Sequence, residues 1–230
     1  GYPLNSAYDG RPQWNVLGGL TDIGRNAQEF IGRRFSPYGF GGIMGLRNII
    51  ARPSSLRPGN RITLSAANRS YRWRQMYSYN SGATASGRGY LLSFAHRSGH
   101  SGYFEGTPYG SVSGYAAAEW QVAPSHRFEL SGIFNHFKRG QTSPLAAEAR
   151  DLHGRRYNPN WGWHGGDQRS ARERLGFRPL LIGAYRFSGK RLQVRASLGY
   201  HWGSQSRTRL SYFDAANPSP VYYRNLPSFY

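Results

Sequence analysis

The sequence predicts an all-β protein whose strands form part of a transmembrane antiparallel β-barrel. Two features predict this fold class: apolar and polar residues alternate along segments of about nine to eleven residues, and the connections between these segments are alternately short and long. Alternation with a period of two belongs to strands whose two faces meet different surroundings. Strands of that length cross a bilayer when tilted, whereas strands of soluble proteins have roughly five or six residues.

The clearest segment covers residues 192–202, where every second residue from Leu192 to Trp202 is apolar and polar residues such as Arg195 fill the other face. A slip of one residue in the pairing register would place Arg195 among lipid tails, so this strand has a strongly preferred orientation. Together the seven predicted strands are residues 61–68, 72–80, 89–96, 112–122, 126–136, 177–187 and 192–202.

The connections favour a membrane barrel over the first alternative, a soluble all-β domain. Outer-membrane barrels have short turns on the periplasmic side and long loops on the external side. The same alternation is present here, with the tight turn at 69–71 as an exception. Short connections at 81–88, 123–125 and 188–190 alternate with long ones at 97–110, 139–176 and after residue 203.

Seven strands do not complete a barrel, because bacterial single-chain barrels have even strand numbers and an open edge leaves backbone groups unpaired in lipid. We therefore expect the chain to be a fragment that stops inside a long external loop over 204–230. Aromatic residues near the strand ends match the interfacial girdle of such barrels. These residues are Trp73, Tyr90, Trp120, Tyr200 and Trp202.

The net charge of +19, from 30 Lys and Arg against 11 Asp and Glu, raises another hypothesis, a cationic nucleic-acid-binding β protein. Such a protein would be soluble without detergent, and its binding would weaken steeply with salt. Phosphate-binding tails are usually runs of like charge. Here the basic residues, nearly all arginine, are scattered singly or in pairs such as Arg33-Arg34. We therefore expect no nucleic-acid partner.

Signatures of catalysis are missing from the sequence. It has no Gly-x-Ser-x-Gly elbow, no His-Glu-x-x-His pair, no phosphate-binding loop and no calcium loop. The absence of cysteine excludes disulfides, thiolate metal sites and cysteine nucleophiles. His96 and His100 are four residues apart, but an extended strand end does not bring their rings together. We expect no enzymatic activity, no catalytic residue, no cofactor and no metal site.

A glycine-rich turn over residues 38–52 precedes the first alternating strand. Glycine suits a chain that turns tightly and lies against a barrel wall, because a Cβ would not fit. The segment resembles the closing segment of the plug domain of TonB-dependent outer-membrane receptors, in which such a turn leads into an Asn-Ile-Ile strand and then into the barrel. The residues of this plug-closing motif are Tyr38, Gly39, Gly41, Gly42, Gly45 and Asn48.

The resemblance extends over nearly the whole chain and is to receptors of the Bacteroidota type. It implies that residues 1–58 are the C-terminal part of a plug domain and that residues 59–230 are the first part of a transmembrane β-barrel of about 22 strands with long external loops. The signal peptide, the TonB box and the other strands would lie outside this chain. The matching stretches are residues 1–11, 19–29, 157–162, 170–174, 212–218 and 222–227.

The resemblance implies an energy-coupled outer-membrane receptor that imports a scarce nutrient such as a siderophore, vitamin, glycan or peptide. Its implied partners are the TonB energy-transducing complex, reached through the missing N-terminal region, outer-membrane lipid, the imported ligand and, as a further candidate, a surface lipoprotein. A passive porin-like barrel without a plug is the remaining alternative. Exposed aromatic residues interleaved with arginine can stack on flat ligands and pair with anions. The candidate ligand contacts are Tyr8, Asp9, Arg11, Trp14, Trp161, Trp163, His164, Tyr222, Tyr223 and Arg224.

Overall fold

The computed structural model describes residues 5–8, 11–12, 18–31 and 45–230, with only the backbone given for the first two ranges. Within these ranges strands dominate, and one short α-helix, α1 (Ala147–His153), lies in a connection. No helix of the described ranges is long and apolar enough to span a membrane.

The first four strands form a small mixed sheet, the N-terminal sheet. They are β1 (Asn5–Tyr8), β2 (Arg11–Pro12), β3 (Ala27–Ile31) and β4 (Gly45–Ile49). The spatial order is β2-β1-β4-β3, in which β1 and β4 are parallel and the other pairs are antiparallel. A 3-10 turn at Pro53–Ser55 then leads out of this sheet.

The remaining long strands form one antiparallel sheet, the wall. Its first five strands are β5 (Gly59–Ala66), β6 (Trp73–Asn80), β7 (Arg88–Gly99), β8 (Tyr109–Ala123) and β9 (His126–Gly140). A separate hairpin, β10 (Trp161–His164) and β11 (Asp167–Ser170), follows α1. The wall resumes with β12 (Glu173–Phe177), β13 (Leu180–Ser188), β14 (Gln193–His201) and β15 (Ser204–Arg207). Two further 3-10 turns, Tyr223–Asn225 and Pro227–Phe229, follow.

Neighbours in the wall are neighbours in the chain, in the order β14-β13-β9-β8-β7-β6-β5. All seven predicted segments fall on strands of this sheet, so the all-β antiparallel prediction is confirmed. The wall sheet does not close on itself within the described ranges. The long connections 100–108 and 141–172, and the residues 208–230 that follow β15, lie at one end of the wall, which we call the loop end. The opposite end, with the short connections, is the turn end.

Two details of the predicted strands are wrong. The segment predicted as one strand over 177–187 is interrupted at Arg178 and Pro179, because proline has no N–H to donate to the ladder. The resulting strands, β12 and β13, both pair with β9. The last loop was expected to begin after residue 203, yet a further strand, β15, continues to Arg207. It follows Gly203, whose φ of 139° is a conformation that glycine adopts readily.

The wall has two chemically different faces. Its inner face, against which the N-terminal residues pack, buries Met76, Tyr115 and Ile133 in one cluster with Leu20 and Ile23. Its outer face is exposed and apolar, as the alternation predicted. Among the exposed side chains of the outer face are Ile62, Leu64, Phe94, Leu130 and Leu198.

Arg195 follows the predicted orientation. It lies directly opposite Arg186 in the register of β13 and β14, and residues directly opposite in an antiparallel pair point to the same face. Arg186 donates to the inner-face carboxylate of Glu129, with Nη2 and Oε2 3.2 Å apart. Arg195 is therefore on the inner face, whereas Leu198, 78% exposed, is on the outer face.

Candidate functional site

Hydrogen bonds join the N-terminal residues to the inner face of the wall. The Ser113 hydroxyl donates to the carbonyl of Gly18 over 2.9 Å, and the Tyr115 hydroxyl donates to the carbonyl of Ala51 over 2.7 Å. Both side chains are buried. A buried hydroxyl that loses its partner is costly, so these contacts select one position of the N-terminal residues against the wall.

Two buried carboxylates lie directly opposite each other on the inner face, Glu119 on β8 and Glu129 on β9. Like charges in this position destabilise a sheet unless cations compensate them. Arg127 approaches the Glu119 carboxylate to 2.8 Å. Glu129 is shared by Arg186 at 3.2 Å and by Arg52 at 3.6 Å. Arg52 precedes the wall in the chain, so this ion-pair cluster connects the N-terminal residues to three wall strands, β8, β9 and β13.

Hydrogen bonds also hold residues 52–57, the segment that connects the N-terminal sheet to β5. The Glu119 carboxylate accepts bonds from the backbone N–H and the hydroxyl of Ser54. The buried Asn80 side chain donates to the carbonyls of Pro53 and Leu56 over 3.0 and 2.8 Å. Asp22 accepts from Arg61 of β5 over 3.3 Å. The segment from residue 52 to residue 57 is therefore fixed to the inner face by the strands that follow it.

Only part of the predicted plug-closing motif is among the described residues. Tyr38, Gly39, Gly41 and Gly42 lie outside them. Gly45 begins β4 with a φ of 121°, and a Cβ there would collide with the carbonyl oxygen of Phe30 on β3. Asn48 on β4 is fully buried.

At the loop end, the stretch over residues 157–162 links the two long connections 100–108 and 141–172. The side chain of Asn158, 1% exposed, donates to the carbonyl of Glu105 over 2.9 Å, and its own carbonyl accepts the backbone N–H of Asn160. The Asn160 side chain donates to the carbonyl of Gln141 over 2.9 Å. Trp161 packs so closely on Gly106 that a Cβ on that glycine would collide with the indole ring. These contacts hold the two connections together.

A groove of about 730 Å³ lies beside this loop core. Its walls come from the connection before β12 and from the chain after β15, and they combine cationic, aromatic and proline side chains. Of the predicted contacts whose side chains the structure describes, Tyr222 alone lines it. A hydrogen bond with Tyr223, with burial adding to it, raises the pKa of the Tyr222 phenol. Other lining residues are Asn160, Arg172, Arg209, Tyr212, Phe213 and Pro218.

The remaining predicted ligand contacts do not converge on this groove. Tyr223 stacks edge-on against Tyr222 at 4.8 Å between ring centroids, and Arg224 donates to the Tyr223 hydroxyl over 2.9 Å. Trp163 and His164 are exposed on the β10–β11 hairpin, apart from the groove-lining residues.

Of the N-terminal candidates, Tyr8 and Arg11 are described by backbone only, in β1 and β2. Asp9 and Trp14 lie outside the described residues. The N-terminal part of the predicted ligand surface therefore stays a prediction.

Sequence reasoning missed Arg172, Arg209 and Tyr212 as lining residues of the groove. A signal was available for Tyr212, since the stretch over 212–218 carried the resemblance. Arg172 lies in the stretch over 170–174, which also carried the resemblance. Arg209 lies two residues beyond β15, whose pairing with β12 no local pattern encodes. Within the described residues, no group of three or more acidic or histidine side chains is placed to hold a metal ion.

Comparison with solved structures places the fold among siderophore receptors. The chain superposes on PirA of Pseudomonas aeruginosa with a TM-score of 0.57 and 13% identity, covering 89% of this chain and 33% of that one. On PiuA of Acinetobacter baumannii it superposes with a TM-score of 0.62 and 13% identity, covering 88% of this chain and 29% of that one. On FpvA of P. aeruginosa, solved with heterologous pyoverdines bound, it superposes with a TM-score of 0.59 and 15% identity, covering 84% of this chain and 27% of that one.

The chain thus spans a third or less of the length of these structures. No protein-family model matches the sequence, and no curated protein matches it. At 13 to 15% identity the likeness concerns the fold alone. The chain has the fold of part of a plugged β-barrel receptor, with wall strands and N-terminal residues packed against their inner face.

Proposed function

We propose that this chain is a section of a TonB-dependent outer-membrane receptor of the Bacteroidota type. In this proposal residues 1–58 are the C-terminal part of the plug, and residues 59–230 are the first part of the barrel. The observation that carries it is the two-faced wall, apolar on its outer face and bound on its inner face to the residues before β5. An apolar outer face suits lipid, and a bound inner face suits a barrel that is closed by its own chain.

The proposed receptor binds a scarce nutrient, a siderophore, vitamin, glycan or peptide, between the external loops and the plug. The TonB complex acts through the region before this chain and displaces the plug, so that the ligand can pass. A surface lipoprotein is a further proposed partner that would cover the loop end. Exposed aromatic rings beside arginine supply stacking and charge for a ligand. Tyr222, Tyr223, Arg224, Trp161, Trp163 and His164 are the proposed contacts among the described loops.

Energy-dependent uptake tests this function. The full-length protein would be expressed in a host lacking its own receptors, and uptake of radiolabelled ferric siderophores, cobalamin, oligosaccharides and peptides would be compared with and without TonB. We expect one probe to accumulate only when TonB and the proton gradient are present. A matched protein lacking residues 1–58 and everything before them should lose that dependence.

The same proteins separate a receptor from a passive porin. In planar bilayers, the full-length protein should conduct ions poorly, because the N-terminal residues occupy the inner face, and the protein without them should conduct well. Uptake that is equal with and without TonB, together with high conductance of the full-length protein, would contradict the proposal.

A further inference from the structure

Three arginines form a row across three neighbouring strands at the loop end of the wall. Arg139 of β9 lies directly opposite Arg174 of β12, and Arg174 lies directly opposite Arg207 of β15. Directly opposite residues of antiparallel strands share a face, and adjacent strands are about 4.8 Å apart. The Cα atoms of the three arginines therefore form a row about 10 Å long.

The row is on the inner face. Arg139 is separated by ten residues of continuous β9 from Glu129, which is buried on the inner face, and an even separation keeps side chains on one face. Lys138 points the other way and pairs with Glu173 on the outer face over 3.0 Å. Because an ion pair is not stable against hydrocarbon, this level of the wall lies beyond the apolar band that faces lipid.

No carboxylate among the described residues pairs with Arg139, Arg174 or Arg207. The Nε atom of Arg174 is buried without a hydrogen-bond partner in that part of the chain, although the guanidinium lies 6.0 Å from the centre of the Phe137 ring. Burial, and then the charges of its arginine neighbours, lower the pKa of Arg174. Elsewhere, the inner-face carboxylates Glu119 and Glu129, and Asp22 of the N-terminal residues, all have arginine partners. The row is thus a concentration of positive charge that the surrounding wall leaves uncompensated.

The row continues toward both proposed ligand surfaces. Arg172 and Arg209, two residues beyond Arg174 and Arg207, line the loop groove. On the other side, Arg97 of β7 lies between the rings of Tyr71 and Tyr109, at 5.5 and 5.1 Å from their centres. Arginine side chains therefore extend from the groove down to the level where the N-terminal residues meet the wall.

From this arrangement we infer that the row of Arg139, Arg174 and Arg207 binds a soluble ligand carrying at least two carboxylate or phosphate groups. The planar guanidinium fork pairs with such oxyanions through two parallel N–H···O bonds, and three forks across about 10 Å can bind two or three of them at once. The inference deepens the proposed receptor function, and rests on it, by naming the chemical class of the imported ligand.

Direct binding of simple anions tests this inference. Full-length protein in detergent would be titrated calorimetrically with citrate, with inorganic pyrophosphate and with trimethyl citrate, which lacks the charges. We expect binding of at least one of the two anions, no binding of the ester, and affinity that falls as salt rises. Binding of citrate alone assigns carboxylates to the ligand, and binding of pyrophosphate alone assigns phosphates.

Variants locate the binding. Arg174→Gln should weaken anion binding by about tenfold or more, and Arg174→Lys should recover only part of it, because lysine keeps the charge and loses the bidentate geometry. Arg191→Gln, at the exposed turn end, removes the same charge from another place and should change affinity by less than about twofold. Heat-modifiable gel mobility shows that each variant is folded.

Two results would overturn the inference: no binding of either anion by the folded wild type, or equal affinities for Arg174→Gln and Arg191→Gln. Neither result bears on TonB-dependent uptake, which tests the proposed function separately. Conversely, anion binding at Arg174 without energy-dependent uptake would leave the row as a binding site and reject the receptor proposal.

Discussion

The carboxylate of Glu119 binds Ser54 twice, accepting its backbone N–H over 3.1 Å and its hydroxyl over 2.9 Å. Ser54 belongs to the 3-10 turn that precedes the wall, and Glu119 belongs to the fourth wall strand, 65 residues later. The buried Glu119 side chain thus holds the turn that leads out of the N-terminal sheet against a strand much further along the chain.

Replacing Glu119 by Gln should destabilise the full-length protein by about 1–3 kcal/mol, because Arg127 loses its carboxylate and Ser54 loses a charged acceptor. Thermal unfolding in detergent measures the effect. Asp151→Asn is the matched control, since the Asp151 carboxylate is exposed and only 3.8 Å from Arg150. Equal unfolding temperatures for the two variants would show that the contact with Ser54 contributes nothing to stability.

Tyr115→Phe should cost about 1 kcal/mol, because it removes the buried hydrogen bond to the Ala51 carbonyl and leaves that carbonyl without this donor. The loss should also speed amide exchange in residues 45–56 relative to the wall strands. Tyr90→Phe removes the same hydroxyl from an exposed ring on the outer face and should leave both quantities unchanged. Slow exchange over 45–56 in the Tyr115 variant would contradict this assignment.

The orientation of the last wall strands is testable with single cysteines, because the chain contains no cysteine of its own. A spin label on Leu198→Cys should collide with oxygen dissolved in lipid, and a label on Arg195→Cys should collide with a water-soluble nickel complex. The expectation follows from the pleat, which sends residues an odd number apart to opposite faces. The reverse accessibility pattern would require a register shift of one residue.

The wall was predictable from the sequence because each of its strands meets two different surroundings. Residues 126–136 alternate between Phe128 or Leu130 and Glu129, and the structure sends these sets to opposite faces. This local pattern is independent of the strand's partners. It therefore fixes the orientation of a strand without the rest of the sheet.

Partnerships across strands could not be predicted in the same way. Glu119 and Glu129 each alternate with apolar residues in their own strand, but their direct opposition depends on the register set by the turn and bulge at residues 121–126. The opposition of Arg174 and Arg207 likewise depends on β15, which was predicted as loop. The helix α1 was missed because it is short and lies inside a long connection.

Asn158→Ala should loosen the connections at the loop end without unfolding the wall. The variant loses a buried donor to the Glu105 carbonyl and the acceptor for the Asn160 N–H, at a cost of about 1–3 kcal/mol confined to the loop core. Limited proteolysis should then cleave within 141–172 faster than in the wild type. Arg169→Ala, at an exposed position on β11, is the control and should be cleaved at the wild-type rate.

The chain of 230 residues expressed alone should not form a stable monomer in detergent. Within the described ranges its wall has two open edges, β5 and the pair β14 and β15, and unpaired amide and carbonyl groups cost several kcal/mol each in hydrocarbon. Summed over strands of about nine residues, this cost exceeds the roughly 5–15 kcal/mol by which proteins are ordinarily stable. Gel mobility before and after heating, with amide exchange, measures the outcome. A monodisperse monomer with protected amides on both β5 and β14 would mean that the sheet satisfies its own edges and needs no further strands.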